Sequence, residues 1–214
     1  MRFACAVLLL ASAPPGSGQL LDRTVAVVGS TPITATEVDL QMRLQALFND
    51  APLDLAEQAR QGALSRLVEQ RLVETDMRLA GLPPVEDDEL GDAFAQLRRS
   101  RFGGLGFDEA LERYGVKERD AREFLRKQLR FARYVQFRFR AGLQADEEAI
   151  ETAYRERFGD VSSAPPLDEV RESLRAQVLD QLAESMLDER VRQLRAETRV
   201  AYLDPIEPDT EAGP

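Results

Sequence analysis

The chain has 214 residues, with 28 Lys and Arg against 38 Asp and Glu, for a formal charge of −10, and so acidic a total argues against general binding to nucleic acid or to an anionic membrane surface. It has no histidine, which excludes His-based acid–base catalysis, Ser-His-Asp and Cys-His constellations and the usual zinc sites, so no catalytic residue and no metal ligand is assigned.

Residues 1–18 read as a secretory signal peptide: Met1 and Arg2 supply the positive start, Phe3 to Leu10 the apolar stretch, and Ala11, Ser12 and Ala13 an A-x-A-like site. The apolar run is shorter than the ~20 residues that span a bilayer. Cleavage after Ala13 or after Gly18 both fit. Cys5 is the only cysteine and leaves with the peptide, so the mature chain carries no thiol and needs no disulfide in an oxidising compartment. About 195 mature residues suffice for one domain with a real core, expected over residues 19–203.

Val25 to Val28 is a β-branched run bounded by Gly29, Ser30 and Pro32, the pattern of a short strand ending in a turn. Thr34 follows as a helix N-cap, with Glu37 placed to close a capping box and Ile33 and Val38 placed as a hydrophobic staple. A first helix runs from Ala35 to about Phe48. A second, with Asp54 and Glu57 repeating the cap pattern, carries Leu64, Leu67, Val68, Leu72, Val73 and Met77 on one face until Gly81. A third starts near Glu86 with an acidic first turn that suits the helix dipole.

The segment RFGGLG, Arg101 to Gly106, lacks the Lys and Ser/Thr of a phosphate loop and has no strand before it, so no nucleotide is expected. A short helix from Phe107 to Tyr114 closes at Gly115. A long one from Lys117 to about Ala141 points Phe124, Leu125, Leu129, Ala132, Val135 and Phe139 inward. Between Arg122 and Arg140 it has seven basic residues and one acid. That stripe either recognises an anion or faces the acidic helices of the same molecule. The aromatics on it are either core or the wall of a peptide groove.

Asp146 to Phe158 reads as a sixth helix. Leu167, Val170, Leu174, Val178, Leu182, Met186, Val191 and Leu194 trace one apolar seam along a last helix of roughly 45 Å at about 1.5 Å per residue. Arg199 to Leu203 then alternates as a second strand. A lone strand leaves backbone groups unpaired at both edges, so the two strands are expected to pair, bringing Val200 back to Val27. Either run being extended coil is the alternative. The fold class is thus mainly α, a multi-helix body with a small two-stranded pairing of its N- and C-terminal strands. Residues 204–214, DPIEPDTEAGP, are expected to form a disordered tail.

Taken in order, VAVVGSTPITATEVD, LVEQRLVETDMRLAGLP, the V-x-x-x-E-L helix start at Val85, and the pair GFDEALERYGV and KERDAREFLRKQLRF resemble the N-terminal module of the SurA-type periplasmic chaperones and related parvulin-family foldases. ADEEAIETAYRERF is similar to the helix before a parvulin domain in that family, and PLDEVRESLRAQVLDQLAESMLDERVRQLRAETRVAYL to the helix and strand after it. Where the family carries a parvulin domain, this chain has only the link from Gly159 to Pro166, and the histidine pair of a parvulin site is missing. The resemblance therefore implies a periplasmic, ATP-independent chaperone that binds unfolded or outer-membrane protein segments, without isomerase activity, cofactor, nucleotide, nucleic acid or stable membrane insertion. Client contacts are expected at Phe102, Leu105, Phe107, Phe131, Tyr134 and Phe137. The alternative is a structural or adaptor subunit of a cell-envelope complex that docks through the basic stripe.

Overall fold

The computed structural model describes residues 22–102, 106–159 and 164–203. The expected signal peptide, the tail from residue 204 and residues 160–163 of the link before the last helix lie outside the described residues.

β1 (Thr24–Val28) turns at Gly29 and Ser30 into β2 (Thr31–Thr34), and β3 (Val200–Tyr202) pairs with the other edge of β1, so the order is β2-β1-β3 with antiparallel neighbours. Gly29 has a φ of +61°, as the first central position of a II′ hairpin turn requires. The pairing of the chain ends is as expected, but the sheet has three strands rather than two. Pro32, read as turn, lies on edge strand β2, where a missing N–H costs no ladder bond. The register also differs by one: Val28 faces Val200, Val27 faces Ala201 and Ala26 faces Tyr202. Backbone bonds from Gly29 to the Arg199 carbonyl (2.8 Å) and from Leu203 to the Val25 carbonyl (2.9 Å) extend the clasp over the whole run read as strand.

α1 (Ala35–Asn49) begins at Thr34, whose hydroxyl accepts the Glu37 N–H at 3.3 Å. Ile33 and Val38 are buried in one cluster, as a staple demands. The reciprocal half of the capping box is replaced. The Glu37 carboxylate pairs with Arg71 of α2, while the Ala35 and Thr36 amides are met by the Arg23 carbonyl and the Asp22 carboxylate. α2 (Glu57–Leu79) starts after Ala56, not at Asp54, whose carboxylate instead accepts the Ala56 N–H at 2.9 Å. All six of the apolar residues predicted for α2 are buried.

α3 (Asp87–Phe102), α4 (Gly106–Tyr114) and α5 (Glu118–Val135) follow. The long helix does not run unbroken to Ala141. It passes into a π-helical turn at Gln136–Arg140. Residues five apart in a regular α-helix point about 140° away from each other. The wider turn lets Tyr134 and Phe139 meet edge to face, with centroids 5.4 Å apart. α6 (Glu147–Phe158), capped by the Asp146 carboxylate on the Ala149 N–H at 2.7 Å, and α7 (Leu167–Glu197) complete the chain.

Three apolar clusters result. The sheet, α2 and the start of α1 close over Tyr134, Phe139, Ala183 and Leu194. A second cluster holds the end of α1 against α3, α4 and the start of α5 through Leu44, Leu47, Phe94, Phe107 and Tyr114. The third joins α6 to the first half of α7 through Ile150, Ala153, Leu174 and Val178. α5 is tied down mainly at its ends, where Ala121 belongs to the second cluster and Tyr134 to the first; Ala132, expected inward, is exposed.

Candidate functional site

Between these clusters α1, α2, the middle of α5 and the second half of α7 enclose a cleft of about 480 Å³. Its apolar wall comes from Val73 and Met77 of α2, Phe131 of α5, and Leu187 and Val191 of α7. Its polar wall is rich in amides: Gln41, Gln45, Gln70 and Gln128. Amides both donate and accept, so they pair with peptide groups whatever the side chains between them.

Gln41 stands apart from the others. It is 5 % exposed, packed on the same face of α1 as Val38 and Met42, and its Nε2 has no hydrogen-bond partner among the described residues. A buried donor left unpaired costs on the order of 1–3 kcal/mol, and here the residue that carries it lines the cleft. The sequence carries a signal for it, since Gln41 interrupts an otherwise apolar stripe of α1.

The cleft is cationic in an acidic chain. Arg66, Lys127, Arg130 and Arg195 line it without an ion pair among the described residues, whereas Arg192 is paired with Glu189 at 2.7 Å. On the acidic side Glu74 is neutralised by Arg71 at 3.0 Å, which leaves Glu69 and Asp188. The basic stripe of α5 is thus divided. Arg126 reaches Asp87 (2.9 Å), Arg133 meets Glu89 and the Pro84 carbonyl, and Arg122 lies over the Phe94 ring at 4.3 Å, as expected for residues facing the acidic third helix. Lys127 and Arg130 turn into the cleft instead.

One end of the cleft is held by a polar lock. The Asp76 carboxylate takes two bonds from Arg190 of α7 (2.6 and 3.2 Å) and one from the Tyr134 hydroxyl. Arg190, and after it the Tyr134 hydroxyl, holds the Asp76 carboxyl below its ordinary range. Burial first, and the neighbouring Asp76 second, push the Tyr134 phenol well above its own. α2, α5 and α7 are thereby fixed relative to one another.

Of the six residues expected to meet clients, Phe131 alone lines this cleft, 36 % exposed. Phe107 is wholly buried against Phe94, with centroids 5.2 Å apart, and Tyr134 is wholly buried in the lock. Both are core, because the second cluster and the π-helical turn need large rings there. Phe137 is 58 % exposed on the π-helical turn, away from the cleft lining. Phe102 ends α3, but its side chain and the whole of Leu105 lie outside the described residues. Among the described residues there is no group of His, Cys, Asp and Glu that would hold a metal ion, and no helix long and apolar enough to cross a membrane.

The clasped helical body thus carries an amide-lined cleft between four of its helices. The chain is similar to a protein named Chaperone SurA from Alkalilimnicola ehrlichii (strain ATCC BAA-1101 / DSM 17681 / MLHE-1), with 29 % identity over 196 residues that cover 81 % of this chain and 45 % of that protein. No family model matches the chain. It spans under half the length of the curated relative, and a likeness at this level suggests a SurA-like family.

Proposed function

We propose that this chain is a chaperone-like module that holds extended, unfolded polypeptide segments, those of outer-membrane proteins among them, in the four-helix cleft. The observation that carries the reading is the Gln41 Nε2, a buried donor without a partner among the described residues, beside an apolar wall. An extended chain offers a backbone carbonyl to Gln41 and to the other amides, and apolar side chains to Phe131, Met77 and Val191. Burial at about 25 cal/mol per Å² supplies weak affinity over a short segment, the range in which a holding chaperone can release its client. The similarity to a protein named as a chaperone supports the same role, and with the signal-like residues 1–18 it favours the periplasm as the proposed site of action, where binding of this kind uses no ATP. Prolyl isomerase activity is not proposed, since the chain has no histidine and only a short link between α6 and α7.

The test is suppression of aggregation by the mature chain with several unrelated unfolded outer-membrane proteins. Equimolar protein should keep them soluble, and Phe131→Asp should abolish the effect while leaving the thermal midpoint unchanged. Protection of none of them, with stable co-purification of a single envelope protein, would establish the adaptor reading instead. A proline-limited refolding reaction should run at its uncatalysed rate, over tens of seconds or longer.

A further inference from the structure

The cleft has one cationic rim beside which the chain itself departs. Arg195, on the last turn of α7, lines the cleft and donates to the Tyr202 hydroxyl of β3 at 3.4 Å. The last of the described residues, Leu203, is pinned by its N–H to the Val25 carbonyl at 2.9 Å. The next eleven residues, DPIEPDTEAGP, carry Asp204, Glu207, Asp209 and Glu211 and no Lys or Arg. Extended, they reach up to ~36 Å, long enough to cross a cleft whose lining residue Arg195 contacts Tyr202, two residues before the segment starts.

Charge and chemistry match as well as reach. The four cleft cations without an ion pair oppose only two unneutralised carboxylates, while the rest of the molecule is acidic. An acidic segment elsewhere on the surface meets repulsion; here it meets Lys127, Arg130 and Arg195. Gln41 Nε2 is a buried donor without an acceptor among the described residues, and a peptide carbonyl supplies one. Pro205 and Pro208 reduce the freedom that a chain loses on lying down extended.

We propose that the resting occupant of the cleft is the chain's own acidic segment 204–214, which a client displaces. The inference rests on the cleft being a polypeptide site. A tethered competitor acts at an effective concentration of the order of millimolar, so even weak docking sets a threshold that poor clients do not pass. The contact between acidic segment and basic wall is exposed and therefore sensitive to salt.

Two measurements test it. In the first, a photoreactive phenylalanine analogue replaces Ile206 in the full mature chain. Irradiation should cross-link it within the same molecule to cleft residues near Phe131 and Val191, and neutralising the segment with Glu207→Gln, Asp209→Asn and Glu211→Gln should remove the cross-link. Cross-links outside the cleft, or only between isotopically distinct copies, overturn the proposal. In the second, anisotropy of a labelled unfolded peptide compares the mature chain with one ending at Leu203. Removal of the segment should tighten binding about three- to tenfold at low salt, with the difference shrinking near 0.5 M NaCl; equal affinity at low salt overturns the proposal. If neither version binds any labelled peptide, the proposed client function fails, and the cross-link still decides where the segment lies.

Discussion

With the cleft empty, Gln41 costs the protein stability, and that cost is measurable in a chain ending at Leu203, which has no segment 204–214 to supply an acceptor. Its amide nitrogen is removed from water without a partner among the described residues, so in that shortened chain Gln41→Leu, close in size and lacking the orphan donor, should raise stability by about 1 kcal/mol. The same substitution should weaken binding of an unfolded peptide severalfold. Chemical denaturation and anisotropy on one preparation check both; a fall in stability would show that the nitrogen is satisfied in solution, and unchanged affinity that it does not meet the client. Among single residues, apolar periodicity found core positions better than it found function. The aromatic surplus of α5 and its π-helical end is divided, with Tyr134 and Phe139 buried and Phe131 and Phe137 exposed. It did not separate Tyr134, whose hydroxyl finds Asp76 from 58 residues away, from Phe131, which faces the cleft. That distinction depends on a partner distant in sequence and on a π-helical turn that no local pattern announces.

At the scale of elements, α7 shows why a seam of apolar residues does not make one buried face. Its spacing is mostly four residues, and each such step advances about 40° around a helix of 3.6 residues per turn. The face therefore precesses. Leu174 and Val178 pack on α6, and Ala183 and Leu194 pack on the sheet cluster. Leu182 and Met186, between the two partners, are 41 and 45 % exposed, contrary to the uniform seam that the sequence invited. Leu174→Ala should thus cost about 2–5 kcal/mol, whereas Leu182→Ala should stay within about 0.5 kcal/mol. Equal losses in urea unfolding would show that Leu182 is buried in solution. The clasp permits a similar contrast. Ala26 is completely buried in the central strand while Val27 is only half-buried, so Ala26→Asp should unfold the body and Val27→Asp should be milder. Both ends of the clasp were legible from β-branched runs and turn residues. β2 was not, because a proline in four residues reads as a turn until an edge strand is known to be there.

For the whole molecule, the Asp76 lock is what joins helices from both ends of the chain across the cleft, and its titration gives a pH test of how the body is held together. Asp76 is on α2, Tyr134 on α5 and Arg190 on α7, 114 residues from Asp76. In the folded protein the Asp76 carboxyl titrates below its ordinary value. The unfolded chain therefore takes up the proton first as pH falls, so the carboxylate's contribution is complete above about pH 4 and drains away as pH drops through the lower folded value. Tyr134 has the opposite sign. Its phenol is raised, so the neutral hydroxyl contributes fully below about pH 10 and loses that contribution as pH climbs further. Asp76→Asn leaves Arg190 without its counter-charge and should cost about 2 kcal/mol at pH 6, or roughly 4–8 °C in a chain of this size. The difference between Asp76→Asn and the unaltered protein should narrow steadily from pH 4 downward in thermal unfolding followed by circular dichroism. Parallel profiles would mean that Asp76 does not carry the acid dependence. If the gap narrows and hydrogen exchange shows the second half of α7 opening together with α5 in the variant, the lock acts as a joint between helices, and the width of the cleft depends on it.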